Sequence, residues 1–152
     1  MKKRFLILLA VCMLLSAFAA PVSAAENETG RDIIMLDDGC YITVELNVQD
    51  SRLASVKTGN KVYRFYDSDG AEVWRATLYG TFTYTGTSSN CASASCSVTI
   101  SNDSWYTISN SYARSGNSAV ADVVMGKKLL GIKVQEKAIS MRLTCDVNGN
   151  LS

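Results

Sequence analysis

The sequence predicts an all-β fold: a small antiparallel β-sandwich stabilised by disulfides, with a small β-barrel as the alternative closure. Three observations predict it. Short runs of alternating apolar and polar residues recur along the chain, with turn residues between them. No stretch after residue 25 keeps an apolar 3.6-residue period through three helical turns. Ser and Thr make up 27 of the 127 residues after position 25 and fall mostly on the polar phase of the alternations. That is the composition of sheets with one solvated face, which favours the sandwich.

The N-terminus has a different character. Met1-Lys2-Lys3-Arg4 is basic, Phe5 to Ala20 is apolar, and Pro21 precedes the small-residue stretch Val22-Ser23-Ala24-Ala25. These are the three parts of a secretory signal peptide, and the apolar run is short of the about 20 residues a spanning helix needs. Cys12 follows Val11, where a lipid-attachment box wants a small residue, so it reads as an apolar residue of the signal. The expected organisation is residues 1–25 as signal peptide, 26–39 as an acidic flexible leader, and 40–152 as a single β-sandwich domain. Removing Lys2, Lys3 and Arg4 leaves 12 basic against 14 acidic residues, a net charge of −2. So small a charge gives no steering toward nucleic acid or an anionic membrane. No later segment is apolar enough to span a bilayer, and the only proline lies in the signal, so an LPxTG-type wall-sorting motif is absent. The expected location is secreted and extracellular, with no transmembrane segment after signal cleavage.

The elements follow from period and punctuation. Ile33 to Leu36 can pair as a strand, and Asp38-Gly39 is a turn. Cys40, Ile42, Val44, Leu46 and Val48 share one face of a half-buried strand. Residues 50–60 read as a loop with one turn of helix. Lys61 to Tyr66 is a strand, and Asp67-Ser68-Asp69-Gly70 its hairpin turn. From Glu72 to Thr85, Trp74, Ala76, Leu78, Gly80, Phe82 and Tyr84 share a face. Gly80 predicts a bend or bulge where another segment packs closely, and the unusual length predicts a strand that bends to serve two sheets. Residues 86–90 turn the chain, Ala92 to Ser101 alternates again, and Asn102-Asp103 turns it once more. Trp105 to Ala113 is a strand, with Tyr106, Ile108 and Tyr112 on one side; Arg114 to Asn117 is a turn. Ala119 to Met125 is a strand, Gly126 to Gly131 a hairpin loop, and Ile132 to Cys145 the return strand. Its apolar phase changes, which predicts a β-bulge near Glu136-Lys137. Asn148-Gly149 makes a last turn.

Four cysteines remain after the signal: Cys40, Cys91, Cys96 and Cys145. In an exported protein an even number reads as two disulfides, with three connectivities open. Absence of histidine excludes Ser-His-Asp and Cys-His catalysis, and no C-x-x-C spacing supports zinc or redox chemistry. No metal and no cofactor are expected. Asp67-Ser-Asp-Gly-Ala-Glu72 and Asp146-Val-Asn-Gly-Asn150 hold carboxylates at short spacing, but the twelve-residue calcium loop is not there, so both read as turns. A hydrolase would draw an Asp/Glu pair from Glu72, Asp122 and Glu136. Trp74 shares a face with Leu78 and Phe82 and reads as core; Trp105, with Tyr106 and Tyr112, is the candidate ligand platform. Lys127, Lys128, Lys133 and Lys137 form a candidate patch for an anionic partner.

Phe65-Tyr-Asp-Ser-Asp-Gly70, Val73-Trp-Arg-Ala-Thr-Leu-Tyr-Gly-Thr-Phe-Thr-Tyr-Thr-Gly86, Ser97-Val-Thr-Ile100, Trp105, Arg114-Ser-Gly-Asn117 and Leu143-Thr-Cys-Asp-Val-Asn-Gly-Asn-Leu-Ser152 carry a resemblance. Over about residues 61–152 the chain is similar to an uncharacterised family, a domain of unknown function, of small exported proteins of Gram-positive, gut-associated bacteria. The resemblance implies a recurring cysteine pair at Cys91 and Cys145, which leaves Cys40 and Cys96 to pair with each other. Face parity agrees for Cys40, Cys96 and Cys145, whereas Cys91 needs a turn or bulge to face inward. Cys96–Cys145 with Cys40–Cys91 is the second arrangement. The shared motifs are strands and turns and carry no chemistry. The function expected is therefore a non-catalytic exported domain binding a glycan, a cell-wall polymer or a protein partner. The alternatives are a small secreted hydrolase using an Asp/Glu pair, or an interaction protein pairing through an exposed strand edge.

Overall fold

The computed structural model describes residues 31–36, 38–50 and 55–152. The expected signal peptide and the start of the leader lie outside the described residues. Eight strands follow one another: β1 Arg31–Met35, β2 Tyr41–Asp50, β3 Val56–Tyr66, β4 Glu72–Tyr84, β5 Ser89–Ile100, β6 Trp105–Ser115, β7 Ser118–Leu129 and β8 Ile132–Thr144. They form two antiparallel meanders, a five-stranded sheet in the order β1-β2-β3-β4-β5 and a three-stranded sheet in the order β6-β7-β8. Two separate sheets make this a sandwich rather than a closed barrel.

Alternation decides which side of each strand is inside. Trp74, Ala76, Leu78 and Phe82 of β4 are fully buried, and β7 answers with Ala119, Ala121, Val123 and Met125. Phe65, Trp105, Met141, Leu143, Cys91 and Cys145 complete the core. Phe65 stacks on Trp74 at 5.1 Å between centroids, and Trp105 meets both rings at an interplanar angle of 56°. Gly59 and Gly80 are cross-strand partners of β3 and β4. A Cβ at Gly80 would lie 2.6 Å from the Phe82 ring and 3.2 Å from Leu143 Cδ2. The glycine therefore makes room for Phe82, and the ladder slips by one residue beside it, between Thr81 and Phe82.

Several boundaries differ from expectation. β1 makes the second half of the supposed leader an edge strand, pairing Arg31 with Glu45 and Met35 with Tyr41. β3 starts at Val56, so part of the supposed 50–60 loop is strand; Lys57, Thr58 and Asn60 are polar but laddered on both sides. Residues 51–54, part of the segment in which a turn of helix was expected, lie outside the described residues. β4 does not divide between sheets: it stays in the five-stranded sheet throughout, with one register shift beside Gly80. β7 runs on to Leu129, so the supposed six-residue loop is a turn at Leu130-Gly131. The bulge expected near Glu136 lies two residues earlier: Lys127 faces Gln135 and Lys128 faces Lys133, leaving Val134 as the extra residue.

β5 and β6 are edge strands of different sheets joined through residues 101–104. Side chains bridge them: Asn110 Nδ2 donates to the Cys96 carbonyl at 3.2 Å, and Arg114 Nη1 to the Ala92 carbonyl at 3.1 Å.

Candidate functional site

The β7–β8 hairpin overhangs one end of the sandwich. The last ladder pairs before its turn are Lys127 with Gln135, Lys128 with Lys133, and Leu129 with Ile132. The amide of Lys128 donates to the Ser104 carbonyl at 2.8 Å, the contact with the β5–β6 turn that comes nearest the tip. Lys137 Nζ and Gln135 Nε2 both donate to Asp38 Oδ2, at 2.9 and 3.3 Å. The Lys137 ammonium, aided by hydrogen bonds from Cys40, holds the Asp38 carboxyl down at about 2. The base of the hairpin is thus tied to the β1–β2 turn, and its tip stands clear.

That tip is apolar. Leu130 is 95% exposed, Ile132 70%, Leu129 64% and Val134 55%. Leu130 has φ 52° and Gly131 φ 83°, consecutive left-handed residues as in a tight hairpin turn. Position 130 ordinarily takes Asn, Asp or Gly, because a Cβ strains the left-handed region. A leucine there is strained and bare to water at once, and among the described residues no contact offsets either cost.

Sequence reasoning weighed the lysines and missed the leucines between them. The signal was present: Leu-Leu-Gly at a turn breaks the usual turn chemistry. The lysines are only partly free. Lys133 Nζ pairs with Glu136 at 2.7 Å, Lys137 pairs with Asp38, and the Lys128 ammonium lies 5.1 Å from the Tyr106 ring centroid. Lys127 is half-buried, with no ion pair among the described residues.

The aromatic platform is corrected. Trp105 is 5% exposed and belongs to the core. The turn before it delivers it inward, against Phe65 and Trp74. Tyr106 lies flat over Gly126, whose missing side chain makes the room. Tyr112 is exposed, and with Ala92, Ser93, Ala94, Ala113 and Arg114 it lines a groove of about 350 Å³ along the β5–β6 seam. The three residues do not converge on one surface.

The acids do not converge either. Glu72 accepts from Arg64 and faces Arg75 on the larger sheet. Asp122 accepts from Ser140 Oγ at 2.6 Å on the smaller sheet. Glu136 pairs with Gly126, four residues along β7 from Asp122, which is about 13 Å and beyond the span of a glycosidase pair. Asp67 and Asp146 close their own turns: Asp67 Oδ1 accepts from the Asp69 and Ala71 amides, and Asp146 accepts from Asn148 and from the amide and side chain of Asn150.

All four cysteines are free thiols in the structure. Cys40 immediately precedes β2 and Cys96 lies within β5, with β3 and β4 between those strands. Three interstrand steps separate them by about 14 Å or more, outside disulfide reach. The pairing of Cys40 with Cys96 is therefore corrected: parity placed both on the inner face but carried no information on strand order. The second arrangement fails as well. Cys91 is in register with Phe82, Lys57 and Asp50, at the opposite end of β2 from Cys40. Cys145 lies beside Ser89, whose hydroxyl donates to its carbonyl at 2.7 Å, several residues along β5 from Cys96.

Cys91 and Cys145 are neighbours. Their amides donate to the adjacent carbonyls of Gly116 and Asn117. Both are buried. Burial pushes each thiol up, and on Cys145 the Asp146 carboxylate and Cys91 itself add to the rise.

Comparison with protein-family models, with curated proteins and with solved structures finds no match to this chain.

Proposed function

We propose that the protein is an exported, non-catalytic β-sandwich that docks onto a surface outside the cell through the tip of its β7–β8 hairpin. The observation that carries this reading is Leu130, an apolar residue strained in a left-handed turn and almost wholly exposed. Breaches of local rules with no offsetting contact mark functional positions in folded proteins. Export is supported by the basic, apolar and small-residue segments of residues 1–25. The oxidising environment then supports one structural bond, Cys91–Cys145, between the start of β5 and the end of β8.

The test uses protein recovered from the medium of a secreting host, fluorescently labelled and presented to a panel of intact bacterial and epithelial cells. Wild-type protein binds at least one of them, and Leu130→Asn binds at least tenfold less, the loss expected for removing one well-buried apolar anchor. Equal binding by both proteins, or none across the panel, refutes docking through the tip. N-terminal sequencing of the same material reads whether residues 1–25 have been removed.

The groove at the β5–β6 seam favours a second reading, a glycan site with Tyr112 as stacking surface and Arg114 and Ser93 as polar rim. Glycan-array binding abolished by Tyr112→Ala and unaffected by Leu130→Asn supports this reading over the first.

A further inference from the structure

We infer that the surface taken by the hairpin tip is an anionic lipid bilayer, into whose headgroup layer Leu129, Leu130 and Ile132 insert. This inference rests on the docking role proposed above and names its target.

The order of layers along the hairpin carries it. Outermost are Leu130 and Gly131, then the pair Leu129 and Ile132, then the pair Lys128 and Lys133, then Lys127 opposite Gln135. From the lysine pair to the turn is about two residues, about 7 Å of strand, which matches the depth to which interfacial segments sink. An apolar tip below a collar of cations is complementary to hydrocarbon below a layer of phosphates. A protein pocket would accept the leucines but has no need for cations on both strands at one level.

The collar is itself a breach of local preference. Lys128 and Lys133 are direct cross-strand partners, and like charges in that relation repel. In the free protein, Lys128 leans over Tyr106 and Lys133 over Glu136. A phosphate between the two strands relieves the repulsion, as hydrocarbon relieves the exposure of Leu130. Two successive layers are thus each unfavourable in water and favourable at the same depth of the same surface.

The charge is local, so the net charge of −2 over residues 26–152 does not oppose it. Glu136 pairs with Lys133 from within β8, and Asp38 pairs with Lys137 from the β1–β2 turn. Both lie behind the tip, on the protein side of the lysine pair.

The test is flotation of the secreted protein with phosphatidylcholine vesicles, with and without phosphatidylglycerol. Wild-type protein floats with the anionic vesicles at low salt, at least tenfold more than with neutral ones. Leu130→Asn, which suits the left-handed turn and so keeps the fold, loses that binding. Lys128→Glu with Lys133→Glu loses the preference for phosphatidylglycerol. Leu130→Trp shifts its emission to the blue on binding, against the constant background of buried Trp74 and Trp105.

Failure of wild-type protein to float with either vesicle overturns the lipid inference. If binding to intact cells still depends on Leu130, docking through the tip stands with another target; if it does not, both fall. Flotation that depends on the lysines but survives Leu130→Asn also overturns the inference, because it shows attraction without insertion.

Discussion

Leu130 and Gly80 show how one position can oppose or serve its neighbours. At Leu130 the backbone takes φ 52° without a side chain suited to it. Leu130→Asn is expected to raise stability by about 1 kcal/mol, the scale of left-handed strain for an ordinary residue. A urea titration reads this, and unchanged or lowered stability argues that the turn is not strained. Gly80 is the reverse case. Its missing side chain is occupied by Phe82 and Leu143, both fully buried and unable to move away. Gly80→Ala is expected to destabilise by about 1–3 kcal/mol through overpacking, again by urea titration. The special role of Gly80 was legible in the sequence, since a glycine in a long alternating strand predicts close approach. The burial of Trp105 was not, because parity beside a turn cannot tell which way the chain emerges.

Among the elements, the β7–β8 hairpin depends on a tether at its base. Lys137 and Gln135 hold Asp38, whose carboxyl is kept at about 2 chiefly by the Lys137 ammonium. A carboxyl with a depressed folded pKa contributes support that is complete above its unfolded value and lost as pH falls through the folded one. The tether is expected to hold from neutral pH to about 4 and to release as pH falls toward 2. In NMR titration the Asp38 side-chain carboxyl carbon signal stays flat above that window and moves within it. A step near the ordinary carboxylate range shows instead that Lys137 is not bound to Asp38. The lengths of β3 and β7 were underread for one reason. Polar residues such as Lys57, Asn60, Lys127 and Lys128 resemble loop until their ladder partners are known.

Across the whole molecule, the two sheets meet through core side chains and a few bridging hydrogen bonds, so a covalent link between them carries weight. The proposed Cys91–Cys145 bond would join the larger sheet to the end of β8 and close a loop of about 54 residues, worth about 4 kcal/mol by chain entropy. Protein from the culture medium is expected to show that bond in a peptide map, with Cys40 and Cys96 free to alkylate. Reduction, or Cys91→Ser with Cys145→Ser, is expected to lower stability by an amount of that order. Four reactive thiols in secreted protein, or a bond involving Cys40, would contradict this pairing.

By itself the sequence determined the all-β class, the run of consecutive hairpins, most turn positions and the inner face of β2 and β4. Each of these follows from local periods and turn chemistry. Only the tertiary structure decided that Trp105 is core, that β3 and β4 separate Cys40 from Cys96, and that Leu129, Leu130 and Ile132 stand bare at the tip. Those facts depend on strand order and on how far a hairpin reaches beyond its neighbours. Alternation along one strand says which face is apolar, and nothing about what, if anything, covers it.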